Sequence, residues 1–150
     1  MNISDELYQQ TILDYNRNPR NFRKIENPTH QAHGLNPLCG DDYTIYLTAD
    51  DAGIIQDASF DGHGCAISKA SASIMTMELV GKTMDEAHAM FEEFQKMTQG
   101  EATGECDHCN SGKLCVFSGV WKYPERVKCA ILAWHAMDSA LSGEEVASTE

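Results

Sequence analysis

Six cysteines stand in this 150-residue chain, and three of them sit where the chain changes direction. Cys39 lies in NPLCGD, between a proline turn and a glycine, with the carboxylate of Asp41 two residues on. Cys65 closes DGHGC, where a strand gives way to a helix, and Cys129 falls in the first turns of the last long helix. At a helix N-terminus the unpaired N–H groups and the dipole favour a thiolate, which makes the sulfur a better metal ligand and a better nucleophile. The glycines of GHGC let another backbone or a ligand approach closely. Taken singly, each cysteine also reads as an ordinary small buried hydrophobe. Three thiolates and one carboxylate form a set that zinc accepts in tetrahedral geometry. The intervals between them are too long for any local spacing rule to join them.

The other three cysteines, Cys106, Cys109 and Cys115, lie in GECDHCNSGKLC. Cys-x-x-Cys is a frequent metal or redox spacing. A second metal site with His108 or His63, a redox pair or sulfur store, and thiols without shared function all remain open. His63 reads either as a partner of the main site or as a plain loop histidine. Trp121, Tyr123 and Trp134 read as packing residues.

The elements that must carry these residues follow from periodicity. Ser4 can cap a helix with Leu7, Tyr8, Ile12 and Tyr15 on one face, which Asn18 and Pro19 should end. Residues 22–38 read as mostly connecting structure with at most a short strand. YTIYLTA and IIQDASF alternate around the turn DDAG and predict an antiparallel hairpin. AISKASASIMTMEL predicts a closely packed helix ending at Gly81, Thr83 and Glu86 form a capping box for the next, and Pro124 opens the last. The fold class is therefore α+β: a small antiparallel sheet of about three strands packed against several helices. Residues 1–150 read as a single domain, with an inserted cysteine-bearing segment at about 98–119.

Composition narrows the function. Eleven basic against 23 acidic residues give a net charge of −12, which argues against a nucleic-acid partner. No apolar run long enough to span a membrane occurs, and MNISDELYQQ does not read as a signal peptide, so a cytoplasmic location is expected. In a reducing compartment six cysteines point to metal binding or thiol chemistry rather than disulfides.

LYQQTILDYNRNPRNF, NPLCGDDYTIYL, FDGHGCAISKASASIM and YPERVKCAILAWHAM together resemble the IscU/SufU/NifU-N iron–sulfur cluster assembly family. The likeness runs through nearly the whole chain. It is nearest the SufU-type branch, because a long segment separates the Cys65 helix from Cys129 and because Lys128 stands where the IscU branch carries histidine. The resemblance implies a SufE/IscU-like fold in which Cys39, Asp41, Cys65 and Cys129 converge on one zinc ion. It also implies a sulfurtransferase-like carrier rather than a small-molecule enzyme, with Cys39 accepting persulfide sulfur from a SufS-type cysteine desulfurase. Docking of that partner would free Cys39 from the metal, and Asp41 would hold the metal or assist proton movement. Lys128 reads either as a cation favouring thiolates near Cys129 or as a solvated lysine. The alternative within the family is a scaffold that builds a transient 2Fe-2S cluster on the same ligands. Other implied partners are further Suf assembly proteins and apo iron–sulfur proteins, with the chain a monomer or weak homodimer.

Overall fold

The computed structural model describes residues 3–36, 40–98, 124–143 and 146–148. In chain order the elements are α1 (Ile3–Arg17), β1 (His30–Asn36), β2 (Asp41–Ala49), β3 (Ile55–His63), α2 (Ala66–Leu79), α3 (Met84–Thr98), α4 (Pro124–Leu141) and β4 (Val146–Ser148). The expected α+β class, the hairpin β2–β3 and all four helices are present. The helix stops are the expected ones. Asn18 N–H closes the last turn of α1 onto Asp14 O at 2.9 Å just before Pro19, and Thr83 and Glu86 bond reciprocally at 3.1 Å to start α3.

Two features of the sheet exceed the expectation. Residues 30–36, within a stretch read from sequence as mostly connecting structure with at most a short strand, form the seven-residue strand β1, paired antiparallel with β2 from His30 opposite Leu47 to Asn36 opposite Asp41. The acidic tail also supplies a fourth strand, β4, parallel to β1, so the order is β3-β2-β1-β4. β1 carries little hydrophobic signal because its inward positions are Ala32, Gly34 and Asn36. Small residues are needed there: a Cβ on Gly34 would stand 3.1 Å from Ala136 Cβ and 3.3 Å from Leu132 Cδ1, so α4 lies directly on the strand.

One face of the sheet, bearing Tyr43, Ile45, Leu47, Ala58 and Phe60, packs against α2 and α4, while α1 covers α2 and α3 covers α4. α2 is thus enclosed between sheet and α1, which explains its buried run of serine, alanine, isoleucine and methionine. Trp134 of α4 stacks on Phe94 of α3 with ring centroids 4.4 Å apart, and its indole N–H donates to Ser71 Oγ of α2 at 3.1 Å. It is a packing residue, as read from sequence; Trp121 and Tyr123 lie outside the described residues. Tyr46, on the opposite sheet face, is buried rather than solvated, and its hydroxyl meets the carboxylate of Asp61 at 3.1 and 3.2 Å. Among the described residues no helix is long and apolar enough to cross a membrane.

Candidate metal centre

Asp41 opens β2, Cys65 follows the last residues of β3, and Cys129 lies in the second turn of α4. The layering of α2 and α4 on the sheet brings them together: one carboxylate oxygen of Asp41 and the sulfurs of Cys65 and Cys129 all lie within 4.8 Å of one another. Asp41 is 1% exposed and Cys129 fully buried, whereas Cys65 is half-buried, so the cluster opens toward solvent on its Cys65 side. A tetrahedral zinc with bonds of about 2.3 Å to sulfur and 2.0–2.2 Å to oxygen would hold its ligand atoms somewhat closer than this. The donor set fits such an ion with small side-chain adjustments, and two sulfurs beside one carboxylate suit zinc better than magnesium or calcium.

Cys65 is held by α2 itself. It is the N-cap residue, with extended φ −75° and ψ 168°, and its sulfur accepts the Ser68 N–H at 3.4 Å. Serine or aspartate usually fills this role; here the acceptor is sulfur, placed at the positive end of the helix. Ser68 Oγ lies 3.5 Å from the sulfur, donates to Cys65 O at 3.0 Å, and meets Tyr43 Oη at 3.1 Å. Asp41 Oδ1 accepts the Cys65 backbone N–H at 2.9 Å, and its Oδ2 stands 4.0 Å from the sulfur.

These contacts set the protonation of the site. The Cys65 thiol is lowered from 9.0 to about 6, first by its hydrogen bond with Cys129 and further by Ser68, against burial and the Asp41 charge, which raise it. Near neutral pH Cys65 is therefore a thiolate with the Cys129 S–H directed at it. Lys128, half-buried next to Cys129, is not among the groups that lower it. Burial pushes Tyr43 far above its usual range, so its phenol stays protonated.

Gly64 leaves room for this packing. A Cβ there would fall 2.5 Å from Asp41 Oδ1, 2.7 Å from Tyr43 Oη and 2.8 Å from Ser68 Oγ. Gly62 adopts φ +127°, and a Cβ would strike Asp42 O at 2.1 Å. The close approach expected of DGHGC is thus an approach to Asp41 and Tyr43 by Gly64 and to the β2 backbone by Gly62.

Of the four residues expected to converge, Asp41, Cys65 and Cys129 do so, and Cys39 lies outside the described residues. Cys106, His108, Cys109 and Cys115 also lie outside them. His63 is exposed at the end of β3 and does not join the ligand group. Sequence reasoning did not single out Ser68 or Tyr43. The signal for Ser68 is its place three residues after Cys65, the position where a capping partner belongs once Cys65 is the N-cap.

With fold and site in hand, the chain belongs to the NifU-like N-terminal domain family, whose pattern it matches over residues 7–141. The iron–sulfur cluster assembly scaffold protein IscU of Thermotoga maritima is 42% identical over 139 residues, covering 90% of this chain and 92% of that one. The zinc-dependent sulfurtransferase SufU of Bacillus subtilis is 39% identical over 141 residues, covering 94% and 93%. Among solved structures, a putative iron–sulfur cluster assembly scaffold protein for the SUF system from Fervidobacterium islandicum superposes with TM-score 0.81 at 38% identity, covering 91% of this chain and 97% of that one. The chain thus has an iron–sulfur cluster assembly fold, and a relative named scaffold and a relative named sulfurtransferase match it almost equally, at 42% and 39% identity.

Proposed function

We propose that this chain is a zinc-dependent sulfur-transfer protein of iron–sulfur cluster biogenesis, accepting sulfur on Cys39 from the persulfide of a SufS-type cysteine desulfurase in the cytoplasm. The observation that carries the reading is the convergence of Asp41, Cys65 and Cys129 at the capped end of α2, with Cys39 two residues before Asp41 in the sequence. The Bacillus relative's name, zinc-dependent sulfurtransferase, supports the same choice.

Asp41, Cys65, Cys129 and Cys39 would hold the zinc, which when bound keeps its thiolate ligands deprotonated and partly quenches their charge. The protein's own groups do the rest. Asp41, fixed by the Cys65 N–H, keeps its carboxylate at the site, and the hydrogen bonds of Cys129 first and Ser68 second favour the thiolate of Cys65. In the transfer step the Cys39 thiolate attacks the terminal sulfur of the partner's Cys–S–SH. A new S–S bond forms on Cys39, the partner's S–S bond breaks, and its electron pair leaves with the partner's thiolate. The proton stays on the transferred sulfur, whose oxidation level does not change, so no outside oxidant or reductant is needed.

The second reading, a scaffold assembling a 2Fe-2S cluster on the same ligands for delivery to apoproteins, is favoured by the Thermotoga relative. Elemental analysis and anaerobic visible absorbance separate the two. The sulfur-transfer reading expects a colourless protein with about one zinc per chain, which Asp41→Ala or Cys65→Ser depletes. A brown protein carrying iron, and no zinc lost from either variant, would sink it.

A further inference from the structure

Asn36 ends β1 fully buried, yet neither its Oδ1 nor its Nδ2 has a hydrogen-bond partner among the described residues. Ser59 Oγ shares that condition, but on the other face of the sheet: Ser59 pairs with Tyr46, whereas Asn36 pairs with Asp41. Residues directly opposite in an antiparallel pair point to the same side, so Asn36 and Asp41 share the face that α4 covers.

The position along α4 can also be read. Gly34, two residues back on that face, lies against Leu132 and Ala136. Asp41, directly opposite Asn36, groups with Cys129, which precedes the Leu132 and Ala136 that meet Gly34, so α4 runs antiparallel to β1. Two strand residues advance about 6.6 Å, the rise of about four helical residues. Asn36 therefore faces the α4 turn around residues 128–132, the turn that carries Cys129.

A carboxamide so enclosed is unfavourable unless something at the site uses it. Among the described residues, the strand register sets Asp41 opposite it and the run of α4 brings the Cys129 turn to the same face, both members of the candidate metal cluster. Three thiolates and a carboxylate around a divalent ion leave a net charge of about −2, and such a centre is steadied by neutral N–H donors aimed at its sulfurs. We propose that Asn36 is a positioning residue for the loaded site, its carboxamide N–H donating to the metal-bound thiolates. This rests on the metal reading above.

The test compares Asn36→Leu, which keeps the branch at Cγ but removes the amide, with Ser59→Ala on the far face. Zinc affinity is measured by competition with a chromophoric chelator, and the sulfur-to-metal charge-transfer band is read in the cobalt(II)-substituted protein. Asn36→Leu should bind zinc about tenfold more weakly or worse and shift the cobalt band. Its zinc-free form should melt no lower than the parent, because an unpaired buried polar group has been removed. Ser59→Ala should match the parent in zinc affinity and spectrum. Should Asn36→Leu fail to fold, Asn36→Asp keeps the shape, removes the donors, and must show the same spectral shift. Parental affinity and spectrum in the Asn36 variants would overturn the proposal. A parent that binds no zinc through Cys65 and Cys129 would overturn the metal reading and this inference together.

Discussion

The backbone N–H of Cys65 donates to Asp41 Oδ1 at 2.9 Å, tying the start of β2 to the start of α2 across 24 positions of sequence. One carboxylate oxygen thereby helps fix the helix start while the other stays 4.0 Å from the Cys65 sulfur. Perturbing either end of this bond should disturb the metal centre before it disturbs the fold.

Gly64→Ala is the most direct such perturbation. The new Cβ would fall 2.5 Å from Asp41 Oδ1, so the carboxylate must swing away. Zinc per chain should drop in elemental analysis, helix content by circular dichroism should persist, and stability should fall by about 1–3 kcal/mol, the usual cost of overpacking. Full zinc content at the parental thermal midpoint would contradict the packing described.

The zinc-free protein should show the depressed Cys65 thiol. Alkylation followed by peptide mass mapping should give a midpoint near 6 at Cys65 rather than 9.0, and Ser68→Ala should move it upward. Because the folded value lies below the unfolded one, the associated stability is present above pH 9.0 and is lost as the pH falls through about 6. A Cys65 midpoint at 9.0 would rule this out.

A second titration lies away from the metal centre. His88 of α3 meets Asp138 of α4 at 2.5 Å and Glu92 at 2.9 Å, and the Asp138 contact raises it above its usual 6.5. A raised folded value means that the contribution is complete below 6.5 and is lost as the pH rises through the folded value. The thermal midpoint of His88→Ala should therefore lag the parent most near about pH 6 and converge with it at alkaline pH. A gap that does not change with pH would show that His88 acts by packing alone.

Much of this architecture was legible because local rules and tertiary packing agree. Pro124, the Thr83–Glu86 box and the hairpin turn at 50–54 each end or start an element where the sequence places the signal. β1 was not legible: strand reading depends on apolar alternation, and this strand presents Ala32, Gly34 and Asn36 to α4. β4 is three residues long in an acidic tail and exists through its pairing with β1, which no local pattern encodes. Asp41, Cys65 and Cys129 were named from their positions at element ends and from family likeness, since their separations obey no local rule. Ser68 and Tyr43 meet across 25 residues and Asn36 is set opposite Asp41 by strand pairing, and only the folded chain brings these into view.

The central claim is sulfur acceptance on Cys39, and the intact mass of the zinc-loaded chain after incubation with a persulfide-loaded SufS-type desulfurase tests it most directly. The parent should gain one sulfur, mapped to Cys39, and desulfurase turnover should rise. Cys39→Ser should gain none and leave turnover unstimulated, because a hydroxyl near neutral pH is a far weaker nucleophile than a thiolate. A Cys39→Ser chain that stimulates turnover like the parent and carries the added sulfur on another cysteine would contradict the assignment.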